Sequence, residues 1–221
     1  MHFHNEEVYE MGESNNESLT IKDYRDLVIE SGMQAIPMVG GSLATLYFGY
    51  KQEKRFKRLE SFYRELGEQI ENMKDPIPHI SKHNEDELNA IIEELHEKIE
   101  SEHLQMKKDY YKQYYKNTLL YPVNGNFDER KLYLDILSLV TPLQIELIIF
   151  LANQSHPITG ATIQKTGVEG AIIQGSISQL KNYGIIEGSL DSIVFGGTGN
   201  AINENISLTA FGRKFHEFCL R

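Results

Sequence analysis

The sequence contains a single cysteine, and its first residues lack the basic and apolar regions of a secretory signal peptide. One cysteine, Cys219, cannot form an internal disulfide, so the composition favours a reducing compartment and predicts a cytoplasmic protein. Cys219 stands among Phe215, Phe218 and Leu220. This setting indicates a small buried side chain rather than a nucleophile.

Basic residues are scarce relative to acidic ones. The chain has 22 lysines and arginines against 32 aspartates and glutamates, which gives a formal net charge of −10. This balance works against general affinity for nucleic acid or for anionic lipid. Residues 1–18 are polar and acidic, and we interpret them as a disordered lead-in.

Signatures of catalysis are missing as well. The glycine-rich stretch at 195–200, FGGTGN, is not followed by the lysine of a phosphate-binding loop, and no nucleophile elbow occurs. We therefore predict a protein that is not an enzyme and uses no cofactor. The weak candidates for a metal site are His96, Glu100 and His103, because one helix would bring these three onto a single face. The simpler interpretation of that face is a solvated polar surface.

Long apolar runs are absent except around residues 31–50, where twenty residues carry no charge. That length suffices for a membrane span, but Pro37 and the pair Gly40-Gly41 divide it. Five of the next eight residues are basic, which suits either an anchor for anionic headgroups or the exposed stripe of a buried helix. Peripheral membrane association therefore stays open beside a soluble interpretation. The predicted membrane or partner contacts are Ile36, Met38, Val39, Leu43, Leu46, Phe48, Lys51, Lys54, Arg55 and Arg58.

The N-terminal part, 19–120, predicts long helices. Apolar residues recur at helical spacing through Ile70, and two prolines at 76 and 78 then end the first long helix. A second long helix is predicted to begin near Asn84, with a heptad-like spacing of apolar residues as far as Met106. Two such helices would form an antiparallel hairpin. Each helix is only partly apolar, so we predict that the hairpin associates with further helices or with a second copy of the chain.

The C-terminal part, 127–221, predicts shorter elements. Helices are expected at 127–138, from Thr141-Pro142 to Ala152, at 159–165 and at 168–183. Strands are expected at 185–186, 192–195 and 206–208, before a last helix that begins at Thr209. This order is that of a winged helix-turn-helix. The predicted fold is thus mainly α: a long helical hairpin followed by a winged helix-turn-helix domain with a small β ribbon.

A winged helix suggests DNA binding, with contacts from Gln174, Ser176, Ser178 and Lys181. Phosphate contacts need lysine and arginine, however, and residues 156–190 hold two lysines against two glutamates. The tip of the predicted wing has no basic residue. Nucleic acid is therefore the less favoured partner, and a winged helix that contacts protein is the preferred interpretation.

Five segments in order resemble one known family. Residues 36–66 join a proline-containing apolar segment to a basic and then acidic helix, and residues 87–102 supply a second helix. The C-terminal part then contributes LDILSLVTPLQIELIIFL, LKNYGIIEGSL and LTAFGRKFHEFC. This order resembles the Abi-alpha proteins, which are linked to abortive infection of bacteria by phage, over most of residues 30–220. The resemblance implies a phage-related setting and supplies no catalytic residues.

Taken together, these features favour a non-enzymatic interaction protein of phage-defence or counter-defence type. It would act through protein–protein contacts, with a protein partner or with itself as a homo-oligomer. Two alternatives stay open. One is a winged-helix DNA-binding transcription regulator, and the other is a membrane-associated abortive-infection effector.

Overall fold

A computed structural model of the chain describes residues 45–75, 77–78, 80–190 and 204–221. Within these ranges the protein is mainly helical and contains a small antiparallel sheet of three strands. The helices are α1 (Thr45–Glu71), α2 (Glu85–Ser101), α3 (Gln105–Leu120), α4 (Phe127–Leu139), α5 (Pro142–Ala152), α6 (Gly170–Asn182) and α7 (Ala210–Phe215). The strands are β1 (Ile158–Thr159), β2 (Ile186–Leu190) and β3 (Glu204–Leu208). Short 3-10 turns lie at Ile80–Lys82 and Gly160–Thr162, and a π-helical turn at His216–Leu220 extends α7.

Helices α1 and α2 pack side by side in opposite directions. Arg58, in the middle of α1, reaches the end of α2 at Glu100, whereas Tyr63, further along α1, contacts His96. The apolar face of α1 is buried from Leu59 to Ile70, and the ring of Tyr63 lies fully inside. Buried positions on the two helices are Leu59, Phe62, Tyr63, Leu66, Ile70, Leu88, Ile91, Leu95 and Ile99.

The prediction of a single second long helix is wrong, because the chain breaks between α2 and α3. Helix α2 ends at Ser101 and α3 begins at Gln105. The carboxylate of Glu102 accepts hydrogen bonds from the backbone N–H groups of His103 and Leu104, at 2.7 and 2.8 Å. These bonds stabilise the turn directly before α3, whose N-cap residue, Leu104, makes no side-chain cap bond of its own. The break contains neither proline nor glycine, so no helix-breaking residue in the sequence predicts it.

Three predicted helix starts coincide with side-chain caps. Asn84 accepts a hydrogen bond from the backbone N–H of Glu87, at the start of α2. Thr141 and Gln144 form a reciprocal capping box at the start of α5, and Thr209 caps α7 through the N–H of Gly212. Each cap satisfies a donor that the first helical turn leaves free.

The sheet has the order β1-β3-β2, with both pairs antiparallel. Ile186 lies opposite Leu208, and Ile158 of β1 lies opposite Ile206. Strand β1 was not predicted, since only two residues form it. The helix predicted at 159–165 is a single 3-10 turn, and the one predicted at 168–183 runs over α6. The strand predicted at 192–195 lies outside the described residues.

The C-terminal helix, which consists of α7 and the π-helical turn His216–Leu220, packs against α3 and α4. Tyr114 and Tyr133 place their rings 5.5 Å from the ring of Phe218, and Asn117 donates a hydrogen bond to the Phe218 carbonyl at 2.8 Å. Buried apolar side chains form one continuous cluster from α1 to the C-terminal helix. Residues 121–126 form the connection between α3 and α4. The division of the chain into domains at that point stays a prediction.

Candidate interaction surfaces and an arginine cleft

Helix α6 carries the four residues predicted to contact DNA, and the structure places them on different sides. Gln174 and Ser178 are exposed, whereas Ser176 is only 8% exposed and donates to the carbonyl of Ile172. Gln174 donates to the carbonyl of Gly160 at 2.9 Å, and Ser178 donates to the carbonyl of Gln174. Ser176 thus faces the interior, and the two exposed side chains already bond backbone carbonyls.

Both lysines between residues 156 and 190 are paired with carboxylates. Lys181, near the end of α6, forms an ion pair with Glu204 at the start of β3. Lys165 forms an ion pair with Glu146 of α5. The positive charges that would attract a phosphate backbone are therefore compensated within the chain.

Two large apolar side chains are exposed on the packed helices α5 and α6. Ile172 is 53% exposed and Phe150 is 44% exposed. An isolated exposed apolar residue is ordinary, but α5 contains no lysine or arginine, and Lys181, the single basic residue of α6, is paired with Glu204. The two helices therefore expose apolar side chains with little uncompensated positive charge, which suits a protein partner better than a polyanion.

The basic stripe of α1 is partly used inside the chain. Arg58 donates through Nε to the carbonyl of Glu100 at 2.9 Å, and Arg55 lies 3.9 Å from the Glu100 carboxylate. A guanidinium at the end of α2 favours that helix, because the carbonyl end of a helix carries partial negative charge. Lys54 is exposed. The side chains of Leu46, Phe48 and Lys51 are not described, and Ile36, Met38, Val39 and Leu43 lie outside the described residues.

Helices long and apolar enough to cross a bilayer are not found in the part of the chain that the structure describes. This finding covers α1 from Thr45 onward. The uncharged residues before Thr45 lie outside it.

The three metal candidates do not come together. His96 is turned toward α1, where its Nε2 is hydrogen-bonded to the hydroxyl of Tyr63 and the two rings lie 5.3 Å apart. Burial lowers the pKa of His96 to about 4. His103 lies in the break after α2, so the single helical face that would join it to Glu100 does not exist. Within the described ranges, no three histidine, cysteine, aspartate or glutamate side chains are grouped to hold a metal ion.

A cleft of about 350 Å³ opens between α3, α4 and the C-terminal helix. Arg130 of α4 lines it and is only 7% exposed. The guanidinium carbon lies 3.8 Å from the centre of the Phe218 ring, a cation–π contact. Its Nε is buried and has no hydrogen-bond partner among the described residues. Burial lowers the pKa of Arg130, because the charged form loses contact with water.

The mouth of the cleft holds a small network around Glu129. Its carboxylate accepts hydrogen bonds from Lys214 and from the hydroxyl of Tyr133, both at 3.0 Å. Burial opposes ionisation, but these two donors outweigh it and lower the pKa of Glu129. Glu217 also lines the cleft, and Tyr121 at its edge is 57% exposed. The cleft thus combines one deeply placed cation with aromatic rings and two carboxylates.

Arg130 was not predicted as a functional residue, although the sequence carries a signal for it. Arg130, Tyr133, Leu134 and Leu137 follow the spacing i, i+3, i+4 and i+7, which is one face of a helix. All four are buried. An arginine on the apolar face of an amphipathic helix is therefore the pattern that points to this cleft.

Comparison of the chain with protein-family models, with curated proteins and with solved structures gives no match. The resemblance to the Abi-alpha family stays a prediction drawn from the sequence. What the protein binds is therefore inferred from its own surfaces.

Proposed function

We propose that the chain is a non-enzymatic interaction protein of phage-defence or counter-defence type that acts through protein–protein contacts. In this proposal residues 127–221 form a winged helix in which α5 and α6 correspond to the helix-turn-helix and β2 with β3 to the wing. The order of these elements and the antiparallel pairing of β2 with β3 support that assignment. The helical hairpin of α1 and α2 precedes it.

One observation carries the preference for a protein partner. Lys165 and Lys181, which are the lysines of the proposed helix-turn-helix, are each held in an ion pair with a carboxylate of the same chain. A DNA-binding helix must present cations to phosphate, and those contacts supply most non-specific affinity. Because these charges are compensated, the exposed apolar side chains of Phe150 and Ile172 are the features of α5 and α6 best suited to bind a partner.

Self-association is part of the same proposal. Leu132 and Leu139 are exposed seven residues apart on α4, which places them on one face of that helix. A face of this kind is suited to a helix of a partner or of a second copy. The setting in phage defence rests on the resemblance to the Abi-alpha family, and the compartment proposed is the cytoplasm.

Site-specific photo-crosslinking tests the protein-contact proposal. A photoreactive residue in place of Ile172 should give a discrete crosslinked product in cells, because that position would lie inside the interface. The matched control is Ser178, which is exposed on the same helix. Equal yields at the two positions, or no product at either, would contradict a contact centred on Ile172.

Size-exclusion chromatography with light scattering distinguishes the two kinds of partner. If the crosslinked product has twice the mass of the chain, the purified wild type should elute as an oligomer. The variant Ile172→Glu should then elute with a smaller mass than the wild type. A heterologous partner at Ile172 should instead leave the mass of the purified chain unchanged by Ile172→Glu.

A further inference from the structure

We propose that the cleft between α3, α4 and the C-terminal helix binds a small aromatic carboxylate, whose anionic group is received by Arg130. This site is separate from the proposed protein-contact surface on α5 and α6. It would give the interaction protein a ligand to which it responds.

Arg130 carries the proposal because it is a buried cation with no carboxylate at ion-pair distance in the described ranges. It is 93% buried, taken from its exposure of 7%, and the neighbouring Glu129, which favours its charge, is itself paired with Lys214. Its Nε has no hydrogen-bond partner there. Other buried cations are matched: Lys112 lies 2.8 Å from the carboxylate of Asp109, and Lys107 donates to the carbonyl of Ser138 at 2.7 Å. Burying an unpaired charge is costly, and an entering anion would offset that cost.

The lining of the cleft favours a singly charged carboxylate over phosphate. A guanidinium presents a planar fork of donors that matches the two oxygens of a carboxylate. Glu129 and Glu217 also line the cleft. Glu129 is compensated by Lys214 at 3.0 Å, but the second carboxylate would repel a doubly charged group more strongly than a singly charged one.

The size and the walls of the cleft favour a flat, compact ligand. A volume of about 350 Å³ lies at the lower end of the range for small-molecule sites. The ring of Phe218 forms one wall, and the ring of Tyr121 lies 6.4 Å from it at the edge. Tyr121 is free to rest on the face of a bound ring, since more than half of its surface is exposed.

The test is a titration of the folded wild-type chain with benzoate, with benzamide and with inorganic phosphate, followed by NMR. The readout is the Nε–H signal of Arg130, assigned by its loss in Arg130→Lys. Benzoate should shift this signal saturably, because the carboxylate engages the guanidinium. Benzamide, which has the same shape without the charge, should leave it unmoved, and phosphate should shift it only at much higher concentration.

Substitutions test which side chains of the cleft bind benzoate. Arg130→Lys keeps a positive charge but lacks the planar fork, and it should weaken benzoate binding by about ten- to a hundredfold. Tyr121→Ala changes an exposed side chain, so it should fold normally and weaken benzoate binding several-fold. Arg213→Lys alters an exposed arginine of α7 that does not line the cleft and should bind benzoate as the wild type does.

Three results would overturn the proposal. The first is an Arg130 signal of the folded wild type that does not respond to millimolar benzoate. The second is a shift with benzamide as large as the shift with benzoate. The third is tighter binding of phosphate than of benzoate, which would make the site a phosphate site. If Arg130→Lys does not fold, the Arg130 signal is assigned by its through-bond connection to the Arg130 backbone, and the wild-type titration and Tyr121→Ala still decide the matter.

Discussion

Individual buried polar side chains in this protein are mostly matched by a partner, which makes the exceptions informative. Lys112 is compensated by Glu65 and Asp109, although burial opposes its charge. Across the described residues, Arg130 Nε and Glu87 Oε2 are the buried side-chain nitrogen and oxygen atoms without a hydrogen-bond partner. Glu87 is partly exposed, whereas Arg130 is almost entirely buried. The most deeply buried of these unsatisfied hydrogen-bonding atoms is therefore Nε of Arg130.

His96 should make the stability of the chain depend on pH. Burial lowers its pKa from 6.5 to about 4 in the folded chain, so the unfolded chain binds more protons between these values. The contribution of neutral His96 to the free energy of unfolding is therefore full above pH 6.5 and is lost as the pH falls toward 4. Urea unfolding across this interval measures it.

The matched variants for that measurement are His96→Gln and His103→Gln. His96→Gln should show a smaller loss of stability on acidification than the wild type. His103 is exposed in the break between α2 and α3, so His103→Gln should follow the wild type. Equal acid dependence in all three proteins would contradict the assignment of the effect to His96.

Gly212 should not tolerate a side chain. A Cβ at this position would lie 2.1 Å from the carbonyl oxygen of Ile185, where α7 passes the start of β2. Backbone must shift to relieve such a contact, and we expect Gly212→Ala to lower the free energy of unfolding by about 3 kcal/mol. In Gly175→Ala of α6 the new Cβ meets no atom of the described residues within 4 Å. That change should instead stabilise the chain by up to about 1 kcal/mol. Denaturant unfolding of both variants checks the contrast, and equal effects would contradict it.

At the level of whole elements, the sequence predicted the helices that have local start signals. Asn84, Thr141 and Thr209 begin helices because their side chains satisfy backbone donors of the next turn. The break after Ser101 and the strand β1 were not predictable in this way. Glu102 bonds the two backbone N–H groups that follow it, and β1 exists through its pairing with β3. The first is a local geometry that the pattern of apolar residues does not reveal, and the second depends on residues distant in the sequence.

Glu102 should stabilise the break between α2 and α3 in two ways. Its carboxylate accepts the N–H groups of His103 and Leu104 and lies 3.6 Å from the ammonium group of buried Lys107. Burial lowers the pKa of Lys107, and Glu102 counteracts that effect. We expect Glu102→Ala to lower the free energy of unfolding by about 1–3 kcal/mol, since two backbone hydrogen bonds and the partner of a buried cation are lost together.

Urea unfolding of Glu102→Ala, with Glu93→Ala as control, measures this contribution. Glu93 is exposed on α2, so its removal should change the free energy of unfolding by no more than about 0.5 kcal/mol. If the two variants lose the same stability, Glu102 does not stabilise the break.

For the molecule as a whole, the sequence predicted the small number of basic side chains at residues 156–190, but it did not predict the cleft. The count of two lysines between residues 156 and 190 was sufficient to disfavour DNA. That both would be paired was not visible, because Glu146 and Glu204 approach them only in the fold. The cleft forms where α3 and α4 meet the C-terminal helix, and Asn117 reaches Phe218 across 101 positions of sequence. Local patterns cannot predict contacts of that range.

The central claim, that the C-terminal helices contact protein rather than DNA, is tested most directly by DNA binding at low salt. Fluorescence anisotropy of a labelled mixed-sequence duplex, titrated with the purified chain, would report the non-specific electrostatic affinity that any DNA-binding helix needs. We predict no rise in anisotropy at low ionic strength, and no difference between the wild type and Lys181→Gln. Binding that weakens as salt is added and is reduced in Lys181→Gln would contradict the claim and identify α6 as a DNA-reading helix.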